Sequence, residues 1–215
     1  VIVKAIDKAN NEKSCRYIIT IERQAPNLVI VSPANESYLS VNDLVIKWSG
    51  SDSESGIDHY EIKLDDNEWI NTYTATTYTF SNISEGLHTI QIRAIDKAGN
   101  ERICKLIVFV DRSPPNININ SPGDNAQISE GIVSIEWSVD DNFGIKAIKI
   151  YADNELVETL SGETRSYTLT LSKGTHVIRV LVEDIAGNKN YDEITIHIGE
   201  ASAENAPEQQ IDFII

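Results

Sequence analysis

Apolar side chains recur at every second position through most of the chain, and Gly, Pro, Asn and Asp interrupt the alternation at regular intervals. Three of the alternating runs, Val1/Val3/Ala5, Ile90/Ile92/Ala94 and Ile178/Val180/Val182, lead into related words. These read Ala5-Ile6-Asp7-Lys8-Ala9-Asn10-Asn11, Ala94-Ile95-Asp96-Lys97-Ala98-Gly99-Asn100 and Val182-Glu183-Asp184-Ile185-Ala186-Gly187-Asn188. A second alternating run follows each word, so each predicts a hairpin turn between two strands. Gly99 and Gly187 stand where the chain needs a positive φ, and Asn10, the next most tolerant residue, replaces them in the first copy. The Asp of each word is placed to accept hydrogen bonds from the loop N–H groups.

Between the turns the same reading predicts further strands. Leu28/Ile30, Leu44/Ile46/Trp48 and Tyr60/Ile62/Leu64 are followed by an Asp65-Asp66-Asn67 turn into Glu68-Trp69-Ile70. Tyr78/Phe80, Ile90/Ile92/Ala94 and Leu106/Val108/Val110 come next. Residues 115–198 repeat the series with Ile117/Ile119, Val133/Ile135/Trp137, Ile148/Ile150, Tyr167/Leu169, Ile178/Val180/Val182 and Ile194/Ile196/Ile198. About seven strands of period two per repeat, with no helical periodicity, predict an all-β chain of tandem antiparallel β-sandwiches.

The repeat length is that of a small domain. Asp7 and Asp96 lie 89 positions apart, Asp96 and Asp184 lie 88 apart, and Trp48 and Trp137 lie 89 apart. Four segments follow: the closing hairpin of an incomplete repeat at 1–22, sandwiches at 23–111 and 112–199, and a linker or tail at 200–215. A lone hairpin cannot bury its apolar face. Residues 1–22 therefore predict either an excerpt of a longer polypeptide or completion by strand addition. Ser113-Pro114-Pro115 predicts a short, stiff connection, whereas residues 200–210 have the composition of a disordered linker. Ile211-Asp212-Phe213-Ile214-Ile215 reads as the start of a membrane anchor or as an apolar patch.

The words Trp48-Ser49-Gly50-Ser51-Asp52, Ser55-Gly56-Ile57, Glu85-Gly86-Leu87-His88-Thr89-Ile90 and Ala94-Ile95-Asp96-Lys97-Ala98-Gly99-Asn100 carry a family resemblance. They resemble the immunoglobulin-like and fibronectin type III-like repeats of prokaryotic surface proteins, in an Ile/Asn/Lys-rich wording that leans towards archaeal examples. The likeness spans residues 1–199. It implies a non-enzymatic structural or interaction segment of a cell-surface or secreted protein, a stalk or adhesion module whose partners are other surface proteins or glycans. The alternative it leaves open is an accessory, carbohydrate-binding region of a secreted hydrolase. It also places His88 and His176 where fibronectin type III domains carry a tyrosine-corner residue bonded to nearby backbone.

A formal charge of −15, from 18 Lys and Arg against 33 Asp and Glu, argues against nucleic acid. No apolar run approaches the ~20 residues of a membrane span, so contact with a membrane would come only through an anchor beyond the C-terminus. Nucleophile motifs, phosphate loops and metal-spaced Cys/His clusters are absent from the sequence, which reads as non-catalytic. Cys15 and Cys104 fall at one repeat position, where the third copy has Asp192. They read as strand-end residues or as partners for an intermolecular bridge. Trp48 and Trp137 share the core phase of a strand, while Trp69, replaced by Leu156 in the next repeat, is the candidate ligand contact.

The acids suggest a cofactor. In such a sandwich the incoming linker, the loop after the second strand and the loop after the sixth share a pole. Asp111 would meet Asp140 and Asp141 from one loop and Glu183 and Asp184 from the other, and Glu22, Asp52 and Asp96 repeat the arrangement. Several carboxylates on loops suit Ca²⁺, expected at the inter-domain junctions, with turn capping as the alternative explanation.

Overall fold

The structure, a computed structural model, describes residues 1–199. The expectations for the 200–215 tail lie outside the described residues. The chain clusters into two compact units, one from Val1–Ser37 and Val41–Val110, the other from Tyr38–Ser40 and the chain onward from Asp111. No described helix is long and apolar enough to cross a membrane.

The first unit opens with a two-stranded antiparallel hairpin of β1 (Ile2–Ile6) and β2 (Glu12–Arg16), in which Val3 faces Cys15. Then follow β3 (Asn27–Ser32), β4 (Ser37–Leu39), of which only Ser37 belongs to this unit, β5 (Leu44–Ser51), β6 (Ile57–Leu64), β7 (Ile70–Tyr73), β8 (Thr77–Phe80), β9 (Gly86–Asp96) and β10 (Glu101–Val110). One sheet has the order β3-β5-β8; in the other, β10, β9, β6 and β7 lie side by side. Period-two patterning packs these sheets face to face. Leu28, Leu44, Ile46 and Trp48 point inward from the first, and Tyr60, Ile62, Ile90, Ile92, Ala94, Leu106, Val108 and Val110 from the second, all buried. Each such large side chain removes enough apolar surface from water to stabilise the fold by roughly 1.5–3 kcal/mol.

The second unit repeats the plan with β11 (Asn116–Ser121), β12 (Ala126–Ile128), β13 (Ile132–Asp140), β14 (Ile145–Ala152), β15 (Glu155–Ser161), β16 (Ser166–Thr170), β17 (Gly174–Asp184) and β18 (Lys189–Ile198). Its sheets run β11-β13-β16 and β12-β18-β17-β14-β15. The pairing is antiparallel except for short β12, which lies parallel to the end of β18 with Ala126 opposite Ile196. A three-residue strand leaves too weak a periodic signal for this parallel pair to be read from sequence. In both units the ladder of the first strand shifts register just before a Pro, between Ile30 and Ser32 and between Ile119 and Ser121. Pro33 and Pro122 have no N–H to continue it.

The repeated word forms the tight hairpin turn expected of it. Asn10, Gly99 and Gly187 all have positive φ, at 64°, 89° and 94°. In the first complete turn, Asp96 Oδ1 accepts from the N–H groups of Ala98 and Asn100, and Asn100 Nδ2 donates to Oδ2 at 2.8 Å. Asn11 and Asn188 bind Asp7 and Asp184 in the same way. One strand boundary differs from expectation. β9 and β17 begin two residues before His88 and His176, so both histidines lie inside a strand rather than ahead of it.

The β1–β2 hairpin is the exception to burial. Val1, Val3, Tyr17, Ile19 and Ile21 are more than half exposed, whereas Ile90, Ile92, Leu106, Val108 and Val110, one repeat later, are buried. The pattern is the same and the covering sheet differs.

Candidate functional site

β9 and β17 carry the chemistry at their two ends. Each finishes in a buried aspartate, Asp96 and Asp184 at 1% and 0% exposure, beside two further acids. In the first unit Glu22, Asp52 and Asp96 each offer a carboxylate oxygen, and all three oxygens lie within 4.8 Å of one another. Asp111, Asp141 and Asp184 do the same in the second. The members come from separate segments: the chain entering the first strand, the loop after β5 or β13, and the hairpin turn after β9 or β17.

Local hydrogen bonds fix the aspartates. Asp52 Oδ1 accepts from the N–H groups of Glu54, Ser55 and Gly56, and Asp141 Oδ1 from those of Phe143 and Gly144. Asp111 Oδ1 accepts from Ser113 N–H, and Asn188 Nδ2 donates both to Asp184 and to the Asp111 carbonyl. Burial disfavours the charged form of Asp96, but the bonds from Asn100, Ala98 and Gly99 outweigh it and hold the carboxyl below the usual range. Both carboxylate oxygens of Glu22 are buried and have no hydrogen-bond partner. Three ionised carboxylates this close repel by roughly 3 kcal/mol per pair at an effective dielectric of 20. A metal cation held among the three oxygens would remove that repulsion.

Two acids expected in the second cluster stay outside it. Asp140 ends β13 and Glu183 precedes Asp184 on β17, and alternation along a strand turns each away from its inward-facing neighbour. Asp140 is exposed. Glu183 instead pairs with Lys146 at 2.6 Å and Lys189 at 3.4 Å, and the Lys146 hydrogen bond, ahead of the other contributions, holds its carboxyl below the usual range.

Near the other end of the same strands sit the histidines. His88 Nδ1 lies 2.8 Å from Asp65 Oδ2, and its Nε2 lies 2.9 Å from the Ser84 carbonyl oxygen. His176 repeats this with Asp153 at 2.7 Å and the Ser172 carbonyl at 3.0 Å. The resemblance implied a backbone-bonded corner residue here; each ring also faces a carboxylate that the sequence reading did not name. The one signal for these carboxylates in the sequence is a shared spacing of 23 positions, which does not say that the side chains meet.

Trp48 and Trp137 are core residues at 3% and 2% exposure. Trp69 just precedes β7, half-buried, with the Arg93 guanidinium 4.8 Å and the Lys63 ammonium 5.2 Å from its ring centre. Arg93 also pairs with Glu61 and Glu101. This ring thus belongs to a charged cluster on the sheet surface, and cation–π contact competes with any ligand for its face. Cys15 is exposed, and Cys104 donates to the Leu28 carbonyl with Sγ at 3.2 Å.

A family model for the bacterial Ig domain matches residues 26–92 and 115–180. Bacillopeptidase F of Bacillus subtilis is 21% identical over 193 residues, covering 89% of this chain and 13% of that protein. Chitinase A1 of Niallia circulans is 24% identical over 177 residues, covering 78% of this chain and 25% of that protein. The chain thus spans a quarter or less of these relatives. Among solved structures, the fibronectin(III)-like modules of Clostridium thermocellum CbhA superpose with a TM-score of 0.56 at 18% identity, over 83% of this chain and 97% of theirs. Murine CEACAM1b gives 0.50 at 10% identity, over 80% of this chain and all of that one.

Proposed function

This chain belongs to the bacterial Ig domain family, and we propose that it is a tandem of non-enzymatic structural modules in a secreted or cell-surface protein, each complete module braced by a calcium ion at the pole its linker enters. The observation that carries the calcium reading is the recurrence of one three-acid cluster. Glu22, Asp52 and Asp96 occupy the repeat positions of Asp111, Asp141 and Asp184, and both sets converge from distant segments. The buried carboxylate of Glu22, which accepts no hydrogen bond, supports the same reading. Turn capping explains one oxygen of Asp52 and of Asp141, and it gives Glu22 no role.

On this reading the ion ties the entering chain to two loops, so it stiffens a module without performing chemistry. Calcium titration of the chain by calorimetry should find two sites, and calcium should raise the melting temperature. Asp52→Asn should remove one site and leave the other. Absence of heat and of any melting shift at millimolar calcium would leave the acids as turn residues.

The segment boundaries at 22, 111 and 199 are part of the proposal. So is the assignment of residues 1–22 as the closing hairpin of a further sandwich, whose opposing sheet would cover the Val1, Val3, Tyr17, Ile19 and Ile21 face. A second reading has one specific support: the two relatives are a peptidase and a chitinase by name, and the chain matches only part of each. As an accessory region of a secreted hydrolase it would contact glycans or surface proteins, with Trp69 as the first residue to test. Retention on insoluble chitin that Trp69→Ala abolishes would favour that role over a plain spacer.

A further inference from the structure

We propose that His176 of the second complete module works as a pH-sensitive clasp, closed when the imidazole is doubly protonated and released when it loses a proton. The geometry carries this. A backbone carbonyl can only accept, so the Nε2 of His176 that faces Ser172 must bear a hydrogen, whereas at His88 the Ser84 hydroxyl also lies in reach of Nε2 and can donate to it. The other ring nitrogen faces a carboxylate oxygen at 2.8 Å in one unit and 2.7 Å in the other. A neutral ring with its proton on Nε2 would turn a lone pair towards that anion. Only the imidazolium donates on both sides.

Each aspartate has one oxygen tied to the backbone. Asp65 Oδ1 accepts from Thr89 N–H and Asp153 Oδ1 from Val177 N–H, at 2.8 and 2.9 Å, leaving Oδ2 for the ring. The two histidine side chains are 8% and 11% exposed, while the Asp65 and Asp153 side chains are 40% and 52% exposed, so each ring is shielded and its carboxylate meets water. The clasp joins three pieces of the second unit: the turn after β14, the loop after β16, and the start of β17. The second and third pieces connect opposite sheets, so release loosens the sandwich at this pole.

The charged group facing each ring is its own aspartate. Around His88 the neighbouring loops also carry Asp66 and Glu85, and Ser84 Oγ lies 3.3 Å from Nε2. Lys173 stands in the loop before His176, and His197 on β18 lies opposite Thr175, which engages its Nδ1. No residue of the acid clusters touches either ring in these contacts. The Asp153 hydrogen bond raises the His176 pKa above the ordinary 6.5 against the effect of burial, and His176 lowers the Asp153 pKa below 3.8. For His176 the folded state therefore binds its proton more tightly than the unfolded chain does. Its stabilisation is complete below the unfolded value and is lost as pH rises through the raised one. The Asp153 contribution is present above its unfolded value and is lost as pH falls through the depressed one.

The test is a proton NMR titration of the histidine ring signals in the intact chain, with urea unfolding of the second unit followed through Trp137. His176 should titrate above the ordinary value, and Asp153→Asn should move its midpoint down. The urea midpoint of the native chain should fall as pH rises through the His176 midpoint. His176→Gln, which cannot ionise, should flatten that fall. A His176 midpoint at or below the ordinary value, or an unchanged pH profile in His176→Gln, would overturn the clasp while leaving the calcium proposal untouched.

Discussion

The two complete units solve the same packing problem with different residues. The first packs Tyr60 against Gly50, and the equivalent repeat positions of the second hold Ile148 and Val139, both part of its core. A Cβ at Gly50 would lie 2.6 Å from the Tyr60 hydroxyl oxygen and 2.8 Å from its ring, so the large ring requires the missing side chain. The Tyr60 hydroxyl then donates to the Gly50 carbonyl, and its ring meets Trp48 edge-on at 6.0 Å. Below the first strand, Asp192 accepts from the Ile119 N–H at 2.7 Å, whereas Cys104 at that position donates to the Leu28 carbonyl. The core tryptophans differ as well. Trp137 Nε1 donates to the Thr164 carbonyl at 3.1 Å, and Trp48 Nε1 is buried with no partner. Volume and alternation are kept between the repeats; the polar contacts are local solutions.

Substitutions that make one unit resemble the other test this, and Trp137 reports on the second unit separately from Trp48 and Trp69 in the first. The largest effect belongs to Gly50→Val. Forcing a branched side chain into the Tyr60 ring should cost about 3 kcal/mol in urea unfolding, the upper end of core overpacking. Adding Tyr60→Ile should restore most of it, and failure of that rescue would mean the two contacts are not equivalent. Next comes Asp192→Ala, which strips the acceptor from the Ile119 N–H and should cost about 2 kcal/mol. Cys104→Ala, losing only a weak thiol donor, should cost under about 1 kcal/mol. Equal costs would refute the claim that the two positions hold their first strands differently. The smallest contrast is Trp137→Phe against Trp48→Phe. Both lose ring area, but only the first breaks a hydrogen bond, and Arg165 still donates to the Thr164 carbonyl, so the extra cost should stay within about 1 kcal/mol.

The local order of this protein was legible in its residues because strand periodicity, turn chemistry and an 89-residue repeat all act over short stretches of chain. Alternation picked out the core strands and both tryptophans, and the Asp-to-Asn turn announced its own positive φ. At the acid cluster the same reading named every member, since loops that follow equivalent strands share a pole. It also drew in Asp140 and Glu183, because a count of acids in a loop does not tell which neighbour points inward; the pleat of β13 and β17 settled that. The Asp65–His88 and Asp153–His176 pairs, 23 positions apart, had to wait for three dimensions. So did the parallel seating of β12 and the two cations over Trp69. Contacts between segments depend on how two strands stack in space, and no periodicity along one strand encodes which partner lies across the sheet.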